Sequence, residues 1–154
     1  MRFDHHPPPP RDTSGRSVWY SAMSLVGAVS EAFGNEGLVD KWSRRRVCFV
    51  RLRSTLKVLN LSGPDPRAFN LDQRIGTDRS YEVSQAWARA IYESYPEIQG
   101  IRWSGRHSGS ICIVLNDRAP MSSLELTQDA DISHPLLWPR VARAADDAYL
   151  EILT

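Results

Sequence analysis

Short apolar runs of strand-like and helix-like spacing follow one another along this chain in no regular alternation, and that irregular order most constrains the fold. Val47-Cys48-Phe49-Val50-Arg51-Leu52, Lys57 to Leu61, Ile101-Arg102-Trp103 and Ile111 to Leu115 read as strands, with a last strand over Ser122 to Leu126. Before, between and after them lie three helical patterns. Leu25, Ala28, Val29, Ala32 and Phe33 give the first an apolar face, fed by a short strand at Val18-Trp19-Tyr20, with Ser24 placed to cap its start. Ala86, Trp87, Ala90, Ile91 and Tyr95 mark a second helix over Tyr81 to Tyr95, ending at Pro96. Leu137, Val141, Ala144, Ala145, Ala148 and Ile152 mark a third after Pro135, anchored by Trp138. Mixed elements without a βαβ rhythm predict an α+β domain with a mixed or antiparallel sheet and packed helices, and argue against a doubly wound fold.

A chain of 154 residues is the length of one ordinary domain and can bury a core without staples, so residues 1–154 are read as a single domain. His5-His6-Pro7-Pro8-Pro9-Pro10 cannot form helix or central strand, so residues 1–17 are expected to be an irregular surface arm. The two histidines, with no third ligand at a useful spacing, read as a solvated turn and no metal is expected. Ser62-Gly63-Pro64-Asp65-Pro66 is the strongest break, followed by a loop-like segment to Asp78.

A formal net charge of +1 gives no electrostatic footprint for direct nucleic-acid binding. The basic cluster Lys41 to Arg46 reads as a solvated lead into a strand, with a phosphate role as the alternative. Cys48 and Cys112 sit inside apolar runs and read as buried free thiols of a reducing compartment. No signal-peptide pattern and no bilayer-length apolar stretch is present, which makes a cytoplasmic location the simplest expectation.

Glu31 borders the apolar stripe of the first helix, where a carboxylate costs desolvation unless a cation or ligand meets it. The connector Ser104-Gly105-Arg106-His107-Ser108-Gly109-Ser110 combines glycine, hydroxyl and cationic groups, as either a hairpin tip or a loop that approaches phosphate or ribose through its amides.

Taken in order, these segments resemble the RES domain family, named for an Arg, a Glu and a Ser. Arg2-Phe3-Asp4 is similar to its Gly-Arg-Phe-Asp stretch, and Tyr20-Ser21-Ala22-Met23-Ser24 through Glu31 to its Tyr-x-Ala-x-Ser and Ala-x-x-Glu segment. Arg46 to Leu61 resembles its paired strands, Tyr81 to Ala88 its Tyr-x-x-Thr-Gln-x-Trp-Ala helix start, and Gly100 to Ala119 its Ser-bearing hairpin. The resemblance implies a fold related to ADP-ribosyltransferases and a toxin that degrades NAD by cleaving the nicotinamide–ribose bond, with phosphate or water as acceptor. It also implies an Xre-type helix-turn-helix antitoxin as partner. NAD is then substrate, and no cofactor or metal is implied. Carried onto this sequence, the catalytic residues are Glu31, Tyr20 and Arg2, and the substrate-binding residues Arg2, Tyr20, Ser104 and Arg106. The family's serine falls one residue after Ser104, at Gly105, with Ser108 a further candidate. Because the resemblance starts at Arg2, whereas the family carries a leading segment with another arginine, the expectation is a start upstream of Met1 or a shortened member. Two alternatives accompany this reading: a catalytically impaired relative that still binds an antitoxin, and an ADP-ribosyltransferase acting on a macromolecule.

Overall fold

The computed structural model describes residues 2–7, 15–62 and 81–154. The loop expected up to Asp78, and the prolines Pro8 to Pro10, lie outside the described residues. The chain divides into two compact units, each assembled from three stretches: Met1–Ser21, Leu56–Arg106 and Ile111–Pro120 in the first, Ala22–Thr55, His107–Ser110 and Met121–Thr154 in the second.

The first unit is built on strands β1 (Val18–Ala22), β4 (Val58–Asn60), β5 (Gly100–Ser104) and β6 (Ile111–Asn116), in the spatial order β1-β6-β5-β4. β4 runs parallel to β5, and β5 antiparallel to β6, with Trp103 opposite Cys112. The sheet is therefore mixed, as expected. Gly100 is required where β5 begins, because a Cβ there would run into the backbone carbonyl oxygen of Val114. Helix α2 (Tyr81–Ser94) buries Ser84, Ala88 and Ile91, one stripe at i, i+4 and i+7. Trp87 and Tyr95, expected on the buried face, are exposed. Ser84 can be buried there because its hydroxyl donates to the Tyr81 carbonyl at 3.1 Å, which satisfies its donor.

The amino-terminal segment also departs from the surface arm expected of it. Arg2, Phe3 and His5 are buried, Phe3 edge-on to Trp103 with ring centroids 4.8 Å apart. His5 is no solvated turn: its imidazole stacks on Tyr92 at 4.1 Å, and its Nε2 stands 3.5 Å from Asp117 Oδ1.

The second unit packs α1 (Leu25–Phe33) against α3 (Trp138–Asp147). Val29, Phe33, Val39, Ile132, Leu137, Val141, Ala144 and Ala145 form its core, with Trp138 packed beside them. Each buried Val, Leu, Ile or Phe stabilises by about 1.5–3 kcal/mol, and truncating Phe33 to Ala would cost about 3–5 kcal/mol. Ser24 caps α1 as expected, its Oγ accepting the Gly27 N–H at 3.0 Å. The buried face, however, runs through Gly27 and Ser30 as well as Val29 and Phe33, and Ala32 is exposed.

Two antiparallel strands, β3 (Arg46–Leu52) and β7 (Leu124–Asp131), pair with a bulge between Phe49 and Val50. β7 is longer than the strand expected at Ser122 to Leu126, and a 3-10 turn, Met121–Ser123, precedes it. Cys48 on β3 is exposed, not buried, whereas Cys112 is buried, and both are free. The arginines leading into this pair are largely engaged: Arg45 Nη1 donates to the Ala32 carbonyl at 2.9 Å, and Arg46 Nε to Asp129 at 2.8 Å.

Helix α3 does not continue to Ile152. Tyr149 takes φ 56°, Leu150 N–H bonds back to the Ala145 carbonyl at 2.9 Å, and Tyr149 N–H to the Asp146 carbonyl at 2.9 Å. This is a Schellman ending with a non-glycine residue in the left-handed position. The chain then forms β8 (Glu151–Leu153), parallel to the three-residue strand β2 (Leu38–Asp40), with Val39 opposite Ile152. No helix of the described residues is long and apolar enough to cross a membrane.

Candidate active site

In the first unit the structure brings together Arg2 and Tyr20. Tyr20 sits mid-strand in β1, and its hydroxyl lies where the chain turns at Arg2 and Phe3. It accepts the Phe3 N–H at 2.9 Å and donates to Asp4 Oδ1 at 3.0 Å. Burial first, and then the Asp4 charge, pushes this phenol far above its ordinary range, so the hydroxyl stays protonated. Arg2 is 9% exposed and holds its guanidinium 5.1 Å from the centroid of the Tyr81 ring.

Ser104 ends β5 and is half-buried, as is Arg106 just beyond it. Side chains alternate along a strand, so Ser104 shares its face with Arg102, while Trp103, which meets Phe3 and Tyr20, occupies the other. Gly105, at the position of the family serine, is buried.

Glu31 belongs to the second unit. It is exposed on α1, and its Oε1 accepts the backbone N–H of His107 in a long hydrogen bond of 3.5 Å. Its surroundings follow from local sequence. Gly27, Glu31 and Gly34 stand at i, i+4 and i+7, which is one face of the helix and its immediate end. Residues 107–110 lie over that face. A Cβ on Gly27 would come within 2.7 Å of the Ser110 Cβ, and one on Gly34 within 2.5 Å of the His107 ring. At the start of the helix Ser24 Oγ donates to Ser110 Oγ at 3.3 Å. Two glycines thus let a loop lie flat on the helix and aim an amide at the carboxylate between them. The signal was present in the sequence as glycines flanking Glu31 at four residues before and three after, a pattern that helical propensity disfavours unless close approach needs it.

Taken by itself, the second unit offers an exposed carboxylate that accepts a loop amide. The first unit, taken by itself, offers a planar guanidinium over the Tyr81 ring, a group suited to bidentate contact with phosphate oxygens.

The family model of the RES domain matches residues 1–138. No curated protein matches the chain by sequence. Among solved structures, a chain in the crystal structure of the M. tuberculosis MbcT-MbcA toxin-antitoxin complex is similar to this one, with a TM-score of 0.66 over 90% of this chain and 76% of that chain. The two are 19% identical, so the likeness is one of fold.

Proposed function

This chain belongs to the RES domain family, and from that premise we propose that it is the toxin of a toxin–antitoxin pair, acting in the cytoplasm to degrade NAD at the nicotinamide–ribose bond. The observation that supports the reading is Glu31, which the resemblance matches to the family's glutamate: it is a solvent-accessible carboxylate that accepts the His107 amide and makes no ion pair among the described residues.

In the proposed reaction the bond between the ribose C1′ and the pyridinium nitrogen breaks, and its electron pair leaves with neutral nicotinamide. Positive charge develops on the ribose ring, and the Glu31 carboxylate stabilises it. An oxygen of water or inorganic phosphate attacks that same ribose carbon and releases its proton to solvent, yielding ADP-ribose or its 1″-phosphate. Arg2 binds the pyrophosphate through its planar fork, and Arg106 and Ser104 add cationic and hydroxyl contacts to the dinucleotide. NAD is the substrate, and the reaction asks for no cofactor. The partner proposed is an Xre-type helix-turn-helix antitoxin; the similar chain in the toxin–antitoxin complex supports a protein partner.

The test is incubation of the purified chain with NAD, with and without phosphate. Free nicotinamide in stoichiometric amount with no protein acceptor supports the reading. Label from NAD found on protein or nucleic acid supports macromolecular ADP-ribosylation. Intact NAD together with capture of the antitoxin supports the impaired relative, for which Gly105 at the serine position is the motivating observation.

A further inference from the structure

Tyr20 is carried toward NAD by family resemblance, yet its polar capacity is already committed inside the protein. A phenol has one proton to give, and Asp4 receives it at 3.0 Å. The same oxygen accepts the Phe3 N–H at 2.9 Å. The ring is committed as well: it stands edge-on to Trp103 at 84° and 6.1 Å, and Trp103 in turn receives Phe3 edge-on. Phe3 is 1% exposed and Tyr20 half-buried. Both hydrogen bonds of the hydroxyl end on residue 3 or 4, immediately beside Arg2.

From this geometry we propose that Tyr20 is a positioning residue: its hydroxyl pins the Phe3-Asp4 turn so that Arg2 meets the pyrophosphate of the dinucleotide in a fixed orientation, and it does not touch the reacting atoms. The inference rests on the NAD-cleaving activity proposed above. It separates two roles that the resemblance merges, placing Tyr20 with binding and leaving the bond-breaking step to Glu31. Holding a guanidinium in place matters because a fork that must be ordered at each encounter loses affinity to conformational entropy. The phenol stays protonated because of its burial and of Asp4, so the pin holds across the ordinary assay range.

The experiment uses the full chain and Tyr20→Phe, which keeps the ring against Trp103 and removes only the hydroxyl. The expected result is a KM for NAD raised about tenfold with kcat changed by less than about threefold, the signature of lost binding. Added to Arg2→Ala, Tyr20→Phe should cost nothing further, because the two act through one contact. Independently of turnover, the Phe3 amide should lose its hydrogen-exchange protection in Tyr20→Phe. A kcat drop of about a hundredfold with KM unchanged would place Tyr20 at the reacting centre and overturn the proposal; so would an unchanged Phe3 exchange rate. If the wild-type chain binds NAD without cleaving it, the activity reading alone fails, and the affinity of Tyr20→Phe for NAD by calorimetry takes the place of KM. A wild-type chain that neither cleaves nor binds NAD overturns both.

Discussion

The backbone N–H of His107 donates to Oε1 of Glu31 across 3.5 Å, and the contact exists because Gly27 and Gly34 leave room for residues 107–110 along one face of α1. A loop amide and a helix carboxylate are thereby tied by two absent side chains.

Gly27→Ala tests that tie. The added Cβ would sit 2.7 Å from the Ser110 Cβ and 3.1 Å from the Ala22 Cβ. Overpacking of this kind costs about 1–3 kcal/mol, against a helix-propensity gain of about 0.5–1 kcal/mol for Ala over Gly. Crowding wins, so the variant should unfold about 2–4 °C lower per net kcal/mol lost, and the amides of residues 107–110 should exchange faster. A rise in Tm would mean that the loop yields without cost.

His5 makes stability depend on pH. Burial, outweighing the nearby Asp117 carboxylate, lowers the imidazole pKa below its ordinary 6.5. Arg16, which donates to the His5 carbonyl, and neighbouring His6 push in the same direction as burial. A histidine with a depressed folded pKa binds more protons when unfolded, so stability is full above about pH 6.5 and declines as pH falls from there toward the folded value. Thermal melts between pH 7.5 and 5 should show that decline, and His5→Phe, which keeps a ring on Tyr92, should flatten it. An equal slope in both proteins would remove His5 as the cause.

Tyr149 should be replaceable with profit. It is 97% exposed and holds φ 56°, so it pays the left-handed penalty of about 1 kcal/mol and returns no packing. Tyr149→Gly is expected to raise Tm by a degree or two, part of the gain being offset by the greater freedom of glycine in the unfolded chain, about 0.5 kcal/mol or more. A lower melting temperature would show that the phenol ring contributes something its exposure does not reveal.

Strands β1, β3, β4, β5 and β6, the three helices and the Ser24 cap were legible because they depend on local periodicity and local hydrogen bonding. Helix faces were less so. Reading α2 by its large apolar residues favours Trp87 and Tyr95, but a helix can bury a narrow stripe such as Ser84, Ala88 and Ile91 and leave aromatics outside. Ile152 fits the period of α3, yet a single left-handed residue at Tyr149 ends the helix, and nothing in a tyrosine announces that conformation. β2 and β8 are three residues each, too short to carry a period of two. For the candidate site, the sequence offered the resemblance, which led to Arg2, Tyr20 and Glu31. What these side chains hold, Asp4 and the Phe3 amide for Tyr20 and the His107 amide for Glu31, depends on pairings 16, 17 and 76 residues apart. Only the folded chain supplies them.

The most direct measurement compares nicotinamide release from NAD by the wild-type chain and by Glu31→Gln at equal concentration, with melting curves recorded alongside. Glu31 is exposed, so the substitution should leave Tm nearly unchanged, within about 0.5 kcal/mol of stability. Removing the charge while keeping the shape should slow release by about a hundredfold to a thousandfold. Equal turnover by two equally folded proteins would contradict the account.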